Sequence, residues 1–383
     1  MKVAVTTLAC CVAALLALGL VMLYSSMMTS PAGAHDLMMQ VIWCALGFAF
    51  CVAATALDYQ FLKKLAWPIY GFALFLLALV FVPHVGHASH GAHRWIGNGH
   101  FTLQPSEFAK VALIIMLAWY CDRSQRQMHT FKRGILLPGI LIGLVLGLIF
   151  VEPDRGQTIL LAAVSGAMLL IAGVQLKQVV LPTLFAAAAL AFSLFHDSMR
   201  RGRILAWLHP QAHANGMALQ AQQAMYGLGS GGWFGVGLGN GMQKHGYLPE
   251  IQTDFIFANI GEELGLVATL LVVAMFVVIA VCGIFIALNS RDSFGGLLAV
   301  GITFLICLQA AINIGVVTSA LPNKGLPLPF ISYGGSNLLA MLVCVGILFS
   351  VARHAPVREK KAEKVRKSSV RKGRDNPFAA HAT

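Results

Sequence analysis

The chain has 383 residues, 58% of them hydrophobic and only 11% charged, with a mean hydropathy of +0.75 and a formal net charge of +12. A soluble globular domain carries roughly 25% charged residues, so that class is excluded. The surplus positive charge gathers in residues 353–383, outside the apolar body, and nothing in the pattern calls for a nucleic-acid partner.

Ten apolar runs are long enough to cross a bilayer, for which about 20 residues are needed. They cover about 3–24, 37–57, 65–83, 105–121, 134–151, 157–176, 179–195, 254–288, 295–319 and 331–352. The alternating strands of a closed barrel are absent, so the fold expected is an all-α polytopic membrane protein with ten transmembrane helices. The first run exceeds the 7–15-residue core of a signal peptide and has no small-x-small site after it. Gly139, Gly143 and Gly147 share one face of the fifth run, a stripe suited to close helix packing. The eighth run is longer than a span, which predicts a tilt or bend. Seven of the eight cysteines fall within spans and Cys121 at a helix end, which points to small buried hydrophobes rather than disulfides or a metal site.

Cytoplasmic loops are enriched in Lys and Arg. A cytoplasmic N-terminus places most of the 27 basic residues inside, among them Lys63, Lys64, Arg123, Arg126, Lys132, Arg133, Arg291 and the tail. Both termini are then cytoplasmic. Residues 1–352 form the membrane domain, and 353–383 form a basic, disordered tail drawn to anionic lipid. Two outer segments exceed connector length. One is the His- and Gly-rich 84–104. The other is 196–253, between the seventh and eighth helices, where Trp207, Tyr226, Trp233 and Phe234 predict short interfacial helices with glycine turns.

The chain has only fifteen Asp and Glu, and a carboxylate at a membrane boundary is costly unless it is solvated, paired or functional. Asp254 stands at such a boundary, in a row with Glu250, Glu262 and Glu263. Pro105 predicts a helix start that sets Glu107 and Lys110 on one face at i,i+3. Glu152-Pro-Asp154-Arg155-Gly156 predicts a tight outer turn. Arg200, Arg201 and Arg203 suit either phosphate capture or lipid headgroups. Three prolines between Leu321 and Phe330 forbid a regular helix around Lys324. Irregular backbone at membrane depth must be buried in protein or line a cavity, so this segment is expected to form a pocket wall. Gly235-Val-Gly237-Leu-Gly239 lacks the strand–turn–helix context of a dinucleotide site. His84, His87, His90 and His93 recur every third residue without Cys or acidic partners, which favours a wet, pH-sensitive loop over a zinc site.

These motifs occur together in a set order. They are Arg94-Trp-Ile, Gln104-Pro-Ser-Glu-Phe-Ala-Lys110, Pro153-Asp154-x-Gly156, Ser230-Gly-Gly-Trp-Phe-Gly-Val-Gly-Leu-Gly-Asn240, Leu248-Pro-Glu-x-x-Thr-Asp-Phe-Ile-Phe257 and Gly325-Leu-Pro-Leu-Pro-Phe-Ile-Ser-Tyr-Gly-Gly-Ser336. In that combination the chain resembles the shape, elongation, division and sporulation (SEDS) family over nearly all of residues 1–352, and its division branch more than its elongation branch. The resemblance implies a peptidoglycan glycosyltransferase that polymerises lipid II at the outer face of the cytoplasmic membrane, at the division septum. It also implies a class B penicillin-binding protein as transpeptidase partner, with other divisome proteins. The family's catalytic aspartate maps onto Asp254, its polar pair onto Glu107 and Lys110, and its basic residue before a proline-rich re-entrant segment onto Lys324. Arg94, Asp154, Arg203, Glu250 and Ser332 complete the substrate site it implies. Arg155, Gln157, Gly241 and Asn337 depart from the residues usual at those places.

The chemistry expected joins a sugar hydroxyl of one lipid-linked disaccharide to the anomeric carbon of another and expels a polyprenyl pyrophosphate. Asp254 would be the general base. Arg203, Lys324 and Lys110 would hold the pyrophosphate, with Glu107 orienting Lys110. A divalent cation, Mg or Mn, would suit the pyrophosphate, yet the sequence carries no dedicated site for one. The alternatives are a lipid II flippase, an elongation-type polymerase and a structural scaffold. Clustering of the motifs on one side and the absence of an inverted repeat favour the enzyme over the flippase.

Overall fold

Long apolar runs fold as helices because each backbone N–H then finds a partner within its own segment. The structure, a computed structural model, describes residues 1–27, 33–82, 86–89, 92–98, 101–180, 198–209 and 218–356, with the single residues 182, 184 and 188 between. Its described helices are α1 (Lys2–Met27), α2 (Gly33–Ala56), α3 (Tyr59–Leu79), α4 (Pro105–Ser124), α5 (Leu137–Val151), α6 (Arg155–Ile171), α7 (Ser198–Leu208), α8 (Leu219–Ser230), α9 (Ile256–Leu288), α10 (Ser293–Val317) and α11 (Gly335–Arg353). Among the described residues seven helices are long and apolar enough to cross a membrane: α1, α2, α3, α5 with the turn before it, α9, α10 and α11. The expected span at 179–195 lies almost wholly outside the described residues, as does the tail beyond 356.

Scarce acids mark the helix starts. Asp58, Asp154 and Asp292 are the N-caps of α3, α6 and α10, accepting from the backbone N–H of Gln60, Gln157 and Gly295. Gly19, late in α1, lies against Ile331, just before α11, so the two helices run antiparallel and Lys2 and Arg353 lie at one end of the bundle. That end is tied by Tyr59 and Gln60 donating to Asp292 (2.6 and 2.8 Å) and by Lys63 with Asp122 (2.6 Å). The opposite end, the loop end, gathers residues 86–103, 152–154, 218–255 and 318–334.

Helices α4, α10 and α11 form the buried centre, where Leu113, Met116, Leu117, Leu298, Ile302, Met341 and Leu348 are at most 1% exposed. Around them α2 packs on α11, α3 on α4, and α9 on α10 and α1. The periphery is greasy instead: Phe48, Phe72, Phe75, Leu271, Val277 and Val281 are all more than half exposed. An apolar surface of that extent is stable only against lipid or another protein. A Cβ added on the Gly139, Gly143, Gly147 stripe, expected to seat a neighbouring helix, would meet nothing within 4 Å among the described residues. Close helix approach occurs between α2 and α11, where a side chain at Gly346 would lie 2.4 Å from the Cys51 carbonyl oxygen.

Two features refine the sequence reading. The 84–104 segment contains a small antiparallel sheet, β1 (Gly86–Ser89), β2 (Ala92–Asn98) and β3 (Phe101–Leu103), in that order. It is anchored where Ser336 Oγ accepts from Gln104 N–H (3.1 Å) and donates to the Thr102 carbonyl (3.3 Å). The long eighth run breaks at Gly265, whose φ of 80° and ψ of −175° are non-helical. There the 231–239 glycine segment lies directly on α9: a Cβ on Gly265 would fall 2.4 Å from the Gly235 nitrogen, and one on Gly235 2.1 Å from the Glu263 carbonyl oxygen. Only residues without a side chain allow that approach and supply the left-handed backbone. Gly265→Ala is therefore expected to lower stability by about 1–3 kcal/mol, the usual cost of forced overpacking. Denaturant titration in detergent micelles checks it, with Gly139→Ala as a near-neutral comparison.

Candidate active site

The site begins where α4 does. Pro105 occupies the first turn, where its missing N–H costs nothing. One turn on, Glu107 and Lys110 form an ion pair of 2.6 Å, at 1% and 0% exposure. Lys110 Nζ also donates to Gln309 Oε1 on α10 (2.9 Å), and Gln157 Nε2 on α6 donates to Glu107. Gln157 N–H donates to Asp154 (3.1 Å), which also accepts from Gln104 Nε2 (3.4 Å) and lies 3.9 Å from Arg94. Arg94 donates in addition to the carbonyls of Glu152 (3.1 Å) and Pro153 (2.8 Å). The sheet, the α5–α6 turn, α4, α6 and α10 thus share one polar network. A buried pair is stable only when such bonds satisfy its remaining groups.

Asp254 lies in the turn before α9, half-buried and outside the helix itself. Residues 318–334 run beside it without regular helix, as three prolines require. Ser332 Oγ accepts from Leu328 N–H (2.7 Å) and donates to the Thr253 carbonyl, while Tyr333 N–H donates to the Gln252 carbonyl (2.9 Å). Asn313 Nδ2 donates to the carbonyls of Asp254 (2.8 Å) and Leu326 (2.7 Å). Gly325 lies so near that a Cβ there would be 2.7 Å from Asp254 Oδ2. Burial pushes the Asp254 carboxyl up to about 7, the charges of Glu250 and Asp154 add to that, and Arg94 opposes it. Glu152 is pushed up to about 8, first by burial and then by Asp154, against the pull of Arg94. Asp154 is raised by burial, while Lys324, half-buried, is lowered by it.

The remaining expected residues are placed as follows. Glu250 is exposed, holds a left-handed φ of 58° and accepts from Thr253 Oγ1 (3.1 Å). Arg203 is exposed on α7, a helix fastened by Trp207 Nε1 donating to the Ser319 carbonyl (2.8 Å). Asn323 Nδ2 donates to Gln220 Oε1 (2.7 Å), which ties α8 to the residue before Lys324. Arg94, Lys324, Arg203 and Glu250 keep surface that a substrate can reach, whereas Glu107 and Lys110 are closed off, so Lys110 has no surface with which to hold a pyrophosphate as expected. Among the described residues no group of three or more His, Cys, Asp or Glu is placed to hold a metal ion.

Glu262 and Glu263 do not join Asp254. Glu263 pairs with Lys244 (3.0 Å) and accepts from Ser25 Oγ at the end of α1 and from Gly239 N–H (3.0 Å). Glu262 accepts from the N–H groups of Met242 (2.8 Å) and Gln243 (3.2 Å). This second buried cluster clamps the glycine segment to α9 and α1. Gln309 and Asn313 escaped the sequence reading, although two amides four apart in an apolar run are a legible sign. Two of the departures, Gln157 and Asn337, turn out to be members of the network, since Asn337 Oδ1 accepts from Gln309 Nε2 (3.1 Å).

Membrane-length helices that hold a half-buried aspartate, titrating near neutrality, beside reachable cations at one end define a multi-pass membrane protein with an enzyme-like site. Comparison makes the assignment narrower. The profile of the cell cycle protein family of FtsW, RodA and SpoVE matches residues 6–356, and the chain belongs to that family, the SEDS proteins. It is 39% identical over 360 residues to a probable peptidoglycan glycosyltransferase FtsW of Trichlorobacter lovleyi, covering 92% of this chain and 94% of that one. It is 37% identical over 347 residues to the stage V sporulation protein E of Bacillus subtilis, covering 89% and 94%. Among solved structures it matches a chain of a peptidoglycan synthase complex that coordinates polymerization and crosslinking, with a TM-score of 0.77, 27% identity and coverage of 90% and 96%. It also matches the rod shape determining protein RodA of Thermus thermophilus, with a TM-score of 0.69, 27% identity and coverage of 91% and 97%.

Removing one partner of a buried ion pair strands the other, at a cost of about 3–5 kcal/mol. Lys110→Met is expected to destabilise the detergent-solubilised chain by that amount. Glu107→Gln combined with Lys110→Met should recover most of the loss, and unfolding titrations of the three proteins check it.

Proposed function

We propose that this chain is a peptidoglycan glycosyltransferase that polymerises lipid II, with Asp254 as its general base. One observation carries the reading: a half-buried aspartate titrating near neutrality is packed against Gly325, one residue from Lys324 and within the field of Arg94. A base is most effective when its pKa lies near the working pH. The names of the relatives support the reaction class, and the match to a peptidoglycan synthase complex supports a crosslinking transpeptidase of the class B penicillin-binding type as partner.

The site accounts for the steps in turn. Asp254 takes the proton from the attacking sugar hydroxyl as its oxygen bonds the anomeric carbon of the second lipid-linked disaccharide. The bond from that carbon to the polyprenyl pyrophosphate breaks, and Lys324, Arg203 and Arg94 offer the positive charge that stabilises the leaving group. Pyrophosphate leaves without protonation once its charge is offset, so a second carboxylic acid of the kind glycosidases use is unnecessary. Glu107 and Lys110 set the geometry from beneath, while Glu250, Ser332 and Asp154 shape the walls. A flippase needs mouths at both faces, whereas among the described residues the buried charged side chains collect at the loop end.

The same reading places the loop end outside the cytoplasmic membrane and both termini inside, as the basic residues at the tail end favour. The similarity to FtsW proteins supports a role in septal synthesis, alongside other division proteins, and the basic tail would contact anionic lipid.

Two outcomes are expected. Asp254→Ala should fold and lose glycan synthesis by a factor of roughly 10²–10⁴, the usual contribution of a general base. Labelled lipid II resolved by gel into chain lengths checks it, and undiminished chains would refute the assignment. Because the base must be ionised, kcat/KM should rise with pH through about 7 and fall about tenfold per unit below it. A rate flat down to pH 5 would mean an ordinary carboxylate or a different base.

A further inference from the structure

The re-entrant segment meets the rest of the site through two side-chain amides that the proposed chemistry does not use. Gln309 and Asn313 lie one turn apart on α10, at 0% and 1% exposure. Gln309 takes the Lys110 ammonium on its oxygen and gives its two N–H groups to the Pro327 carbonyl (2.8 Å) and Asn337 Oδ1 (3.1 Å). That pattern fixes the orientation of its amide. Asn313 gives both N–H groups to carbonyls, one of Leu326 and one of Asp254. Successive carbonyls of the segment, 326 and 327, are therefore gripped by successive turns of one helix. The first grip also holds Asp254 and the second also holds Lys110.

We propose that Gln309 and Asn313 are positioning residues: an amide ladder on α10 that holds the backbone of Asp254 and the ammonium of Lys110 in fixed register through the 326–327 peptide. The proposal rests on the reading of Asp254 as the base. The two rungs have distinct tasks. Asn313 keeps Asp254 against Gly325, away from bulk water, while Gln309 keeps the Glu107–Lys110 pair under the segment. Their work is geometric, and misplacement by about 1 Å can cost on the order of 10²-fold in rate.

The groups that set the ionisation of Asp254 are Glu250 on its own turn, Asp154 on the α5–α6 turn and Arg94 on β2, while the charged group on the re-entrant segment is Lys324, next to Gly325. None of them is bonded to Asn313 or Gln309. Loosening the Asn313 rung lets water reach Asp254 while those charges keep their own anchors.

The test uses the full-length chain purified in detergent, with lipid II as substrate and each rate expressed per folded molecule. Asn313→Ala is expected to lower kcat roughly 10²-fold with little change in KM. It should also move the acidic limb of the pH profile down by about one unit, toward the range of a solvated carboxylate. Gln309→Ala should lower kcat similarly and leave that limb in place. The double variant should lose less than the product of the two losses, since both act through one peptide. Should either alanine variant fail to fold, Asn313→Leu and Gln309→Met keep the volume and remove the donors without adding charge. An unchanged kcat per folded molecule, or an Asn313 variant whose limb stays near 7, overturns the ladder and leaves the amides as core packing. Asp254→Ala in the same assay tests the underlying reading separately, because full activity there defeats the base whatever the amides do.

Discussion

The structure depends on how a proline-interrupted backbone is satisfied inside an apolar bundle. Residues 318–334 cannot bond within themselves as a helix does, and an orphaned buried carbonyl costs about 1–3 kcal/mol. The bundle answers with side chains: Asn313 and Gln309 take the carbonyls of 326 and 327, and Ser332 bridges Leu328 to Thr253. Those same groups hold Asp254 and Lys110, so one set of bonds serves both the fold and the candidate site. Stability and function cannot be separated at this seam.

A second seam is built from opposite materials. Glycines at 235 and 265 let two backbones approach within side-chain distance, and the acids beside them finish the joint. Glu262 caps the exposed N–H groups of 242 and 243, and Glu263 neutralises Lys244 under the Ser25 hydroxyl. Ser25 belongs to α1 and Asp254 to the turn before α9, so this clamp fixes the N-terminal helix relative to the helix that follows the base. Acids in this chain are few, and those at the loop end divide between two tasks. Glu107 and Glu263 are ion-paired and Glu262 accepts from backbone N–H groups, whereas Asp254 keeps some exposure and an elevated pKa.

How much of this was legible follows from the range of each interaction. Where they match expected runs, the described helices end within about six residues of them, and the excess length of the eighth called for a bend, because both follow from local hydropathy; the place of the break, at Gly265, did not. The i,i+3 relation of Glu107 and Lys110 is likewise local, fixed by helix geometry once Pro105 starts the turn. The row of acids from 250 to 263 misled for the same reason. Only nine residues apart, Asp254 and Glu263 lie on either side of the first turns of α9 and face different partners. The strands in 86–103 were also missed, since His and Gly alternation carries little of the β-branched signal of a strand.

The sequence by itself determined a helical membrane body, the site of the proline interruption and the family motifs, and it put Asp254 at a helix boundary. These are properties of composition, period and covalent geometry, and they need no partner in space. Tertiary structure decided which polar groups meet. Gln157 reaches Glu107 across fifty residues, Gln309 reaches Lys110 across 199, and Ser25 reaches Glu263 across 238. Such pairings depend on which helix faces which in three dimensions. They gather isolated, costly polar side chains into two buried clusters, and in the first of them Asn313 holds the backbone of Asp254.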